Sequence, residues 1–180
     1  MASQLRVDKI FPVDGAPTGG GGGIIQVVSA INTSATVSIT VDGETYHNYD
    51  DLKVTITPKF STSKILIFGT IHVSAHTNAY ATYVRLNKDG SVLSGARGDA
   101  EGNRTRALSV APVTSLDYPC MHSISYLDSA GDTSSRYYNY AFAHGASSGR
   151  TMKINAGYNV SNSFNYSVTA STITAMEVSA

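Results

Sequence analysis

The sequence contains no tryptophan, one cysteine (Cys120) and only 14% charged residues, against about 25% in an average globular protein. A single cysteine excludes an internal disulfide framework, which an extracellular eukaryotic domain of this size would more commonly carry. Lys and Arg number 13, as do Asp and Glu, so the chain lacks the positive field that non-specific binding to nucleic acid or to an anionic membrane requires. No apolar run approaches the ~20 residues that span a bilayer. The opening residues Met1 to Lys9 have no apolar core of the secretory kind, so synthesis and assembly in a cytoplasm, without membrane insertion, is expected.

What is present divides the 180 residues into an arm and one domain. Residues 1–23 hold a short apolar-polar segment (Leu5, Val7, Ile10, Phe11, Val13), then Pro12, Asp14-Gly15 and Pro17, then five glycines from Gly19 to Gly23. A run of glycine loses too much backbone entropy on ordering to sit inside regular structure without compensation. A purely disordered tail has no use for Ile10, Phe11 and Val13. The combination reads as an anchoring arm (Leu5, Val7, Ile10, Phe11, Pro12, Val13) followed by a hinge (Gly19, Gly20, Gly21, Gly22, Gly23).

From residue 24 to 180 the hydrophobic period is two. Val37, Ile39 and Val41 alternate with Ser38, Thr40 and Asp42; Leu52, Val54 and Ile56 alternate with Lys53, Thr55 and Thr57. Each pattern sets one apolar and one polar face on a strand. Residues 64–73 (KILIFGTIHV) begin apolar on both faces and then alternate, as expected of a strand running from sheet centre to edge. Further strands are predicted over 80–88, 107–111, 120–128, 136–143, 151–156 and 171–178. Asp89-Gly90 between two such runs is the strongest hairpin signal in the chain. No apolar i, i+3, i+4 stripe persists long enough for a helix. About ten short strands in one domain predict an all-β, two-sheet β-sandwich, most plausibly a jelly roll.

Chemistry is sparse. His72 and His76 are four apart, which on a strand separates them by about 13 Å, too far for one zinc ion. Cys120 and His122 share a strand face, but with Ile124 and Tyr126 beside them a buried structural thiol is the simpler reading. The glycine run lacks the Lys-Ser/Thr ending of a phosphate-binding loop. Asp50 and Asp51, placed just before a strand, are expected to alternate faces rather than act as a carboxylate pair. No catalytic constellation, metal site or cofactor is predicted, and the chain does not read as an enzyme. Arg97-Gly98-Asp99 and the four Asn-x-Ser/Thr sequons are compositional coincidences in loops rich in those residues.

One compositional bias points to recognition. Eleven tyrosines accompany the missing tryptophan, several beside asparagine in loop-like stretches: Tyr46, Tyr49, Tyr80, Tyr158-Asn159 and Asn165-Tyr166. A rigid ring with a polar tip next to an amide suits sugar or protein surfaces. Filling a subunit interface is the favoured reading, and a host surface glycan the alternative.

Three segments carry a family resemblance: residues 5–18 with the glycine run and Ile24-Ile25-Gln26-Val27-Val28; residues 52–67 (LKVTITPKFSTSKILI); and residues 171–178 (STITAMEV). In these the chain resembles small bacteriophage virion proteins, notably of cyanophages, of the tail-fibre, head-fibre or cement type. The resemblance implies a trimeric jelly-roll protein located in the virion and attached to other virion proteins of a tail, baseplate or capsid through its N-terminal arm. A capsid cement protein and a free carbohydrate-binding module are the alternatives. A lone sandwich covers one face of each sheet, and segments 64–68 and 136–142, apolar or aromatic on both faces, predict neighbours on the second face.

Overall fold

The computed structural model describes residues 23–35, 38–41, 45–76, 79–159 and 166–179. The anchoring segment with Leu5, Val7, Ile10, Phe11, Pro12 and Val13, the hinge glycines Gly19 to Gly22, Val37 and Asn165 lie outside the described residues.

Eleven strands follow in chain order: β1 Ile24–Asn32, β2 Ser38–Val41, β3 His47–Ile56, β4 Lys64–Ala75, β5 Ala81–Lys88, β6 Ser91–Val92, β7 Ser109–Pro112, β8 Cys120–Ser129, β9 Arg136–His144, β10 Arg150–Ile154 and β11 Ser171–Val178. They form two antiparallel sheets packed face to face. One has the order β1-β11-β4-β10-β2, with β8 on the opposite side of β4; the other has the order β3-β9-β5-β6, with β7 also on β5. The pairing is nested: β1 with β11, β3 with β9, β4 with β8, β5 with β7. A long hairpin whose first strand meets its last, wound so that successive rungs alternate between β1-β11-β4-β8 and β3-β9-β5-β7, is a jelly roll. The β2–β10 pair and the two-residue β6 are additions to that frame.

The alternation in the sequence sets the layers. Leu52, Val54 and Ile56 of β3, Ile65, Ile67, Ile71 and Val73 of β4, Ile124 of β8, Tyr138, Tyr140 and Phe142 of β9 and Ile173 of β11 fill the space between the sheets. Lys53 and Thr55 point outward. Asp89 (φ 52°) and Gly90 (φ 75°) make the turn between β5 and β6, with Lys88 opposite Ser91. Two positive φ values in a two-residue loop are the type I′ geometry that the Asp-Gly pair favours.

Two sequence expectations need correction. Asp50 and Asp51 sit inside β3, not before it, where the register breaks between Tyr49 and Lys53. That bulge turns Tyr49 and Leu52 inward and leaves both aspartates outward and exposed. Asp50 Oδ1 accepts a hydrogen bond from Asn139 Nδ2 (2.7 Å). Tyr49, read as a loop residue, is a core residue of the same strand. Burial, and secondarily the charge of Asp51, pushes its phenol up to about 12.

The second-face expectation also divides. The outer face of β9 carries Asn139, Ala141 and Ala143, all fully buried within the single chain. Asp50 bonds Asn139, and the loop after β6 folds back on the same sheet, with Leu108 N bonded to Val84 O (2.9 Å) and Tyr46 Oη to Arg106 O (3.0 Å). Of the segments 64–68 and 136–142, the first is the one whose outer apolar side chains, Leu66 and Phe68, the other described residues leave partly exposed.

Candidate functional site: a bare apolar face and two unlike ends

Cross-strand register aligns the outward residues of the β1-β11-β4-β8 sheet into rows. The central row is Val27, Met176, Leu66, Leu127, apolar on all four strands. Flanking rows read Ile24, Val178, Lys64, Ser129 on one side and Ser29, Thr174, Phe68, Ser125, then Ile31, Thr172, Thr70, Ser123 on the other. Val27 is 51% exposed, Ile31 64%, Leu127 53% and Met121 61%. Lys64 is the one charged side chain in these rows. Four strands at ~4.8 Å and eight residues at ~3.3 Å outline roughly 500 Å² before side-chain relief, the scale of one partner's half of a standard interface. Eight of the sixteen positions in that area are apolar, and an apolar row unbroken across four strands is the kind of surface that associates.

The two ends of the sandwich differ. At one end Gly23 is clipped to the last strand: Ser179 N bonds Gly23 O (2.9 Å) and Gly23 N bonds Ser179 Oγ (3.0 Å). Beside it the buried Glu177 accepts hydrogen bonds from Lys59 N (2.8 Å), Phe60 N (3.2 Å) and Gln26 Nε2 (2.6 Å). Burial raises this carboxyl, but the donors from Gln26, Ser63, Lys59 and Phe60 outweigh it and hold the group below its ordinary value. The charged form thus staples the β3–β4 loop to β11 where the arm joins the domain.

The opposite end gathers the loops after β1, β4, β7, β9 and β10. Asn155, fully buried in a left-handed conformation (φ 61°) that asparagine tolerates, organises it. Its Nδ2 donates to Asn32 O (2.8 Å) and Ser34 O (3.2 Å), its Oδ1 accepts from Ser171 Oγ (2.6 Å), and its backbone N reaches His72 O (3.0 Å). One residue therefore ties the ends of β1 and β11 through its side chain and β4 through its backbone. Tyr80 (72% exposed, φ 62°), Tyr118, Tyr158, Asn159 and Tyr166 all lie at this end. An aromatic residue at positive φ is a strained display conformation. Tyr158 and Asn159 adjoin; no contact joins them to Tyr80 or Tyr166 among the described residues. Asn155, Tyr118, Arg150 and Thr151 went unnoticed in the sequence, and His76 was weighed there only as a zinc ligand with His72, because only the closure of β10 against β4 brings this end together.

Among the described residues, no three metal-ligating side chains converge. His122 is fully buried, with Nε2 2.8 Å from Thr82 Oγ1 and Nδ1 3.0 Å from Ser109 Oγ. Burial, and secondarily His72, lowers its pKa to about 4. Cys120 is half-buried, not fully buried as expected; its thiol bonds Pro112 O (3.2 Å), and burial pushes its pKa up, so it is a poor nucleophile. The His122 shift has a measurable consequence. Between pH 6.5 and about 4 the unfolded chain holds a proton that the folded chain refuses, so stability rises with pH across that window. Acidification through it should cost about 3 kcal/mol. Urea titrations at several pH values should show this slope in the native protein and a flatter one in His122→Gln.

No protein-family model matches this chain, and no curated protein is similar enough in sequence to count as a relative.

Proposed function

We propose that this protein is a non-enzymatic structural subunit of a bacteriophage particle, a homotrimeric fibre or spike that anchors through residues 1–23 and holds its loop end outward. The observation that carries this reading is the polarity of the domain. The arm joins at Gly23, beside the start of β4, and the tyrosine-bearing loops lie past its far end, about 36 Å away at ~3.3 Å per residue. The bare face between the two ends supports self-association. With Lys64 its one charge, three copies facing a common axis meet without the like-charge penalty that a charged face would bring, and burying the patch at ~25 cal/mol per Å² favours the assembled state.

Deleting residues 1–22 should abolish incorporation into particles while leaving a cooperatively melting β domain. Undiminished incorporation of the truncated chain would overturn the anchor. Copy number per particle separates this reading from a capsid cement protein: a few trimers mark a fibre, whereas shell-wide coverage marks decoration of the head.

A further inference from the structure

The polar half of the β4 sheet's outer face carries a cleft of about 410 Å³ at the loop end, lined by His76, Gly149, Arg150, Thr151 and Tyr158. That volume falls in the ~300–1,000 Å³ span of small-ligand sites. Its lining holds one fixed positive charge, Arg150, and no carboxylate. The Arg150 guanidinium has a single partner among the described residues, Gly149 O at 3.0 Å, which leaves most of its donor fork uncommitted. The nearby acid of the β7–β8 loop, Asp117, faces Asn159 Nδ2 at 3.5 Å. Tyr158 is held from two directions: the His76 ring meets it at 86° with centroids 5.4 Å apart, and Lys153 Nζ lies 5.4 Å from its centroid while bonding Tyr158 O (2.7 Å). The ring stays half-exposed. Thr151 Oγ1 and Thr40 Oγ1, 3.5 Å apart, supply hydroxyls next to Arg150 on the same strand pair.

A fixed half-exposed ring, a threonine hydroxyl and an uncommitted guanidinium in one cleft match an acidic sugar: a ring to lie against tyrosine, hydroxyls to exchange hydrogen bonds with Thr151, and a carboxylate for a bidentate pair. We infer that the cleft of Arg150, Thr151, Tyr158 and His76 binds a carboxylate-bearing sugar of a cell-surface polysaccharide. This rests on the reading of the loop end as the outward, displayed end, and it assigns recognition to one cleft rather than to the tyrosine loops at large. Tyr80 and Tyr166 lie outside its lining.

The test is titration of the full chain with glucuronate, galacturonate and nonulosonate oligosaccharides, followed by calorimetry and saturation-transfer NMR. Matching carboxyl-reduced oligosaccharides and inorganic phosphate serve as comparison probes. At least one acidic oligosaccharide should bind with Kd near or below ~1 mM. Its carboxyl-reduced form should bind at least about tenfold more weakly, the scale of one charge-assisted hydrogen bond. Arg150→Gln and Tyr158→Ala should each lose a similar factor with unchanged melting temperature, whereas Tyr80→Ala should bind normally. No binding by any acidic oligosaccharide at about 10 mM, equal binding of the reduced forms, or full competition by phosphate alone would each sink the proposal. If sugar binding fails while arm deletion still blocks incorporation, the structural role stands and only the cleft assignment falls. If binding holds and the truncated chain still enters particles, the reverse is true.

Discussion

A Leu66→Glu protein should be monomeric at micromolar concentration, where the native chain, on the proposed assembly, should sediment as a trimer, and its melting behaviour as an isolated domain should be little changed. Leu66 occupies the middle of the four-residue apolar row with Val27, Met176 and Leu127. It is half-buried in the single chain and points away from the core. A carboxylate there stays hydrated in a monomer, but an interface would have to bury it without a counter-ion, at a cost of several kcal/mol per copy. Val110 supplies the control. It is 56% exposed on β7 of the other sheet, so Val110→Glu introduces the same charge at an outward apolar site off the proposed interface. Sedimentation should show Val110→Glu as a trimer and Leu66→Glu as a monomer. A monomeric native chain, or a trimeric Leu66→Glu, would remove the basis for self-assembly through this face.

Gly69→Ala should be severely destabilising, although it adds a single methyl group. A Cβ at this position of β4 would collide with the Thr172 carbonyl oxygen, stand 2.6 Å from Tyr140 Oη and 2.9 Å from Ile173 Cα. Two of these three neighbours are backbone of the strand paired with β4, so relief requires moving β11 and not a rotamer. Tyr140 is itself fully buried and bonds Thr172 O across the sandwich at 2.9 Å. Overpacking of a dense core costs ~1–3 kcal/mol where side chains can yield, and here the backbone cannot. The expected result is a loss of at least ~3 kcal/mol in urea unfolding, or no soluble protein. Tyr140→Phe alone should cost about 1 kcal/mol for its hydrogen bond. Combined with Gly69→Ala it should recover only part of the loss, because the clash with the Thr172 carbonyl remains. Native-like stability in Gly69→Ala would mean that β4 and β11 are less closely apposed than described.

The sequence made the strands legible because their faces alternate. Residues 171–178 of β11 were read with the bounds observed and β4, β8 and β9 within two residues, whereas β3 was started at Leu52, five residues late. Asp89-Gly90 identified its own turn. The bulge in β3 was not legible, because period-two reasoning assumes an unbroken ladder and nothing in Tyr49-Asp50-Asp51-Leu52 announces the extra residue. Nor could the two-faced character of residues 64–68 and 136–142 be resolved locally. Both runs look equally in need of a neighbour, yet β9 covers its second face with Asn139, Ala141 and Ala143 beneath its own chain while β4 leaves Leu66 and Phe68 bare. The cleft was least legible of all. His76, Arg150 and Tyr158 are unremarkable residues 74 and 8 positions apart in sequence, and only long-range pairing of β10 with β4 makes them neighbours.

The nesting of first strand with last also orders events at the ribosome. β1 is synthesised early but finds its partner only when β11 emerges, 171–178 residues into the chain. At about 5–20 residues per second that is a wait of several seconds, during which the arm and the unpaired edge of β1 are both available. A chain released before residue 171 would lack the strand that fills the gap between β1 and β4, together with Glu177, which fastens the end from which the arm departs. Such fragments cannot close the sandwich, so truncated chains are sorted from complete ones by folding itself.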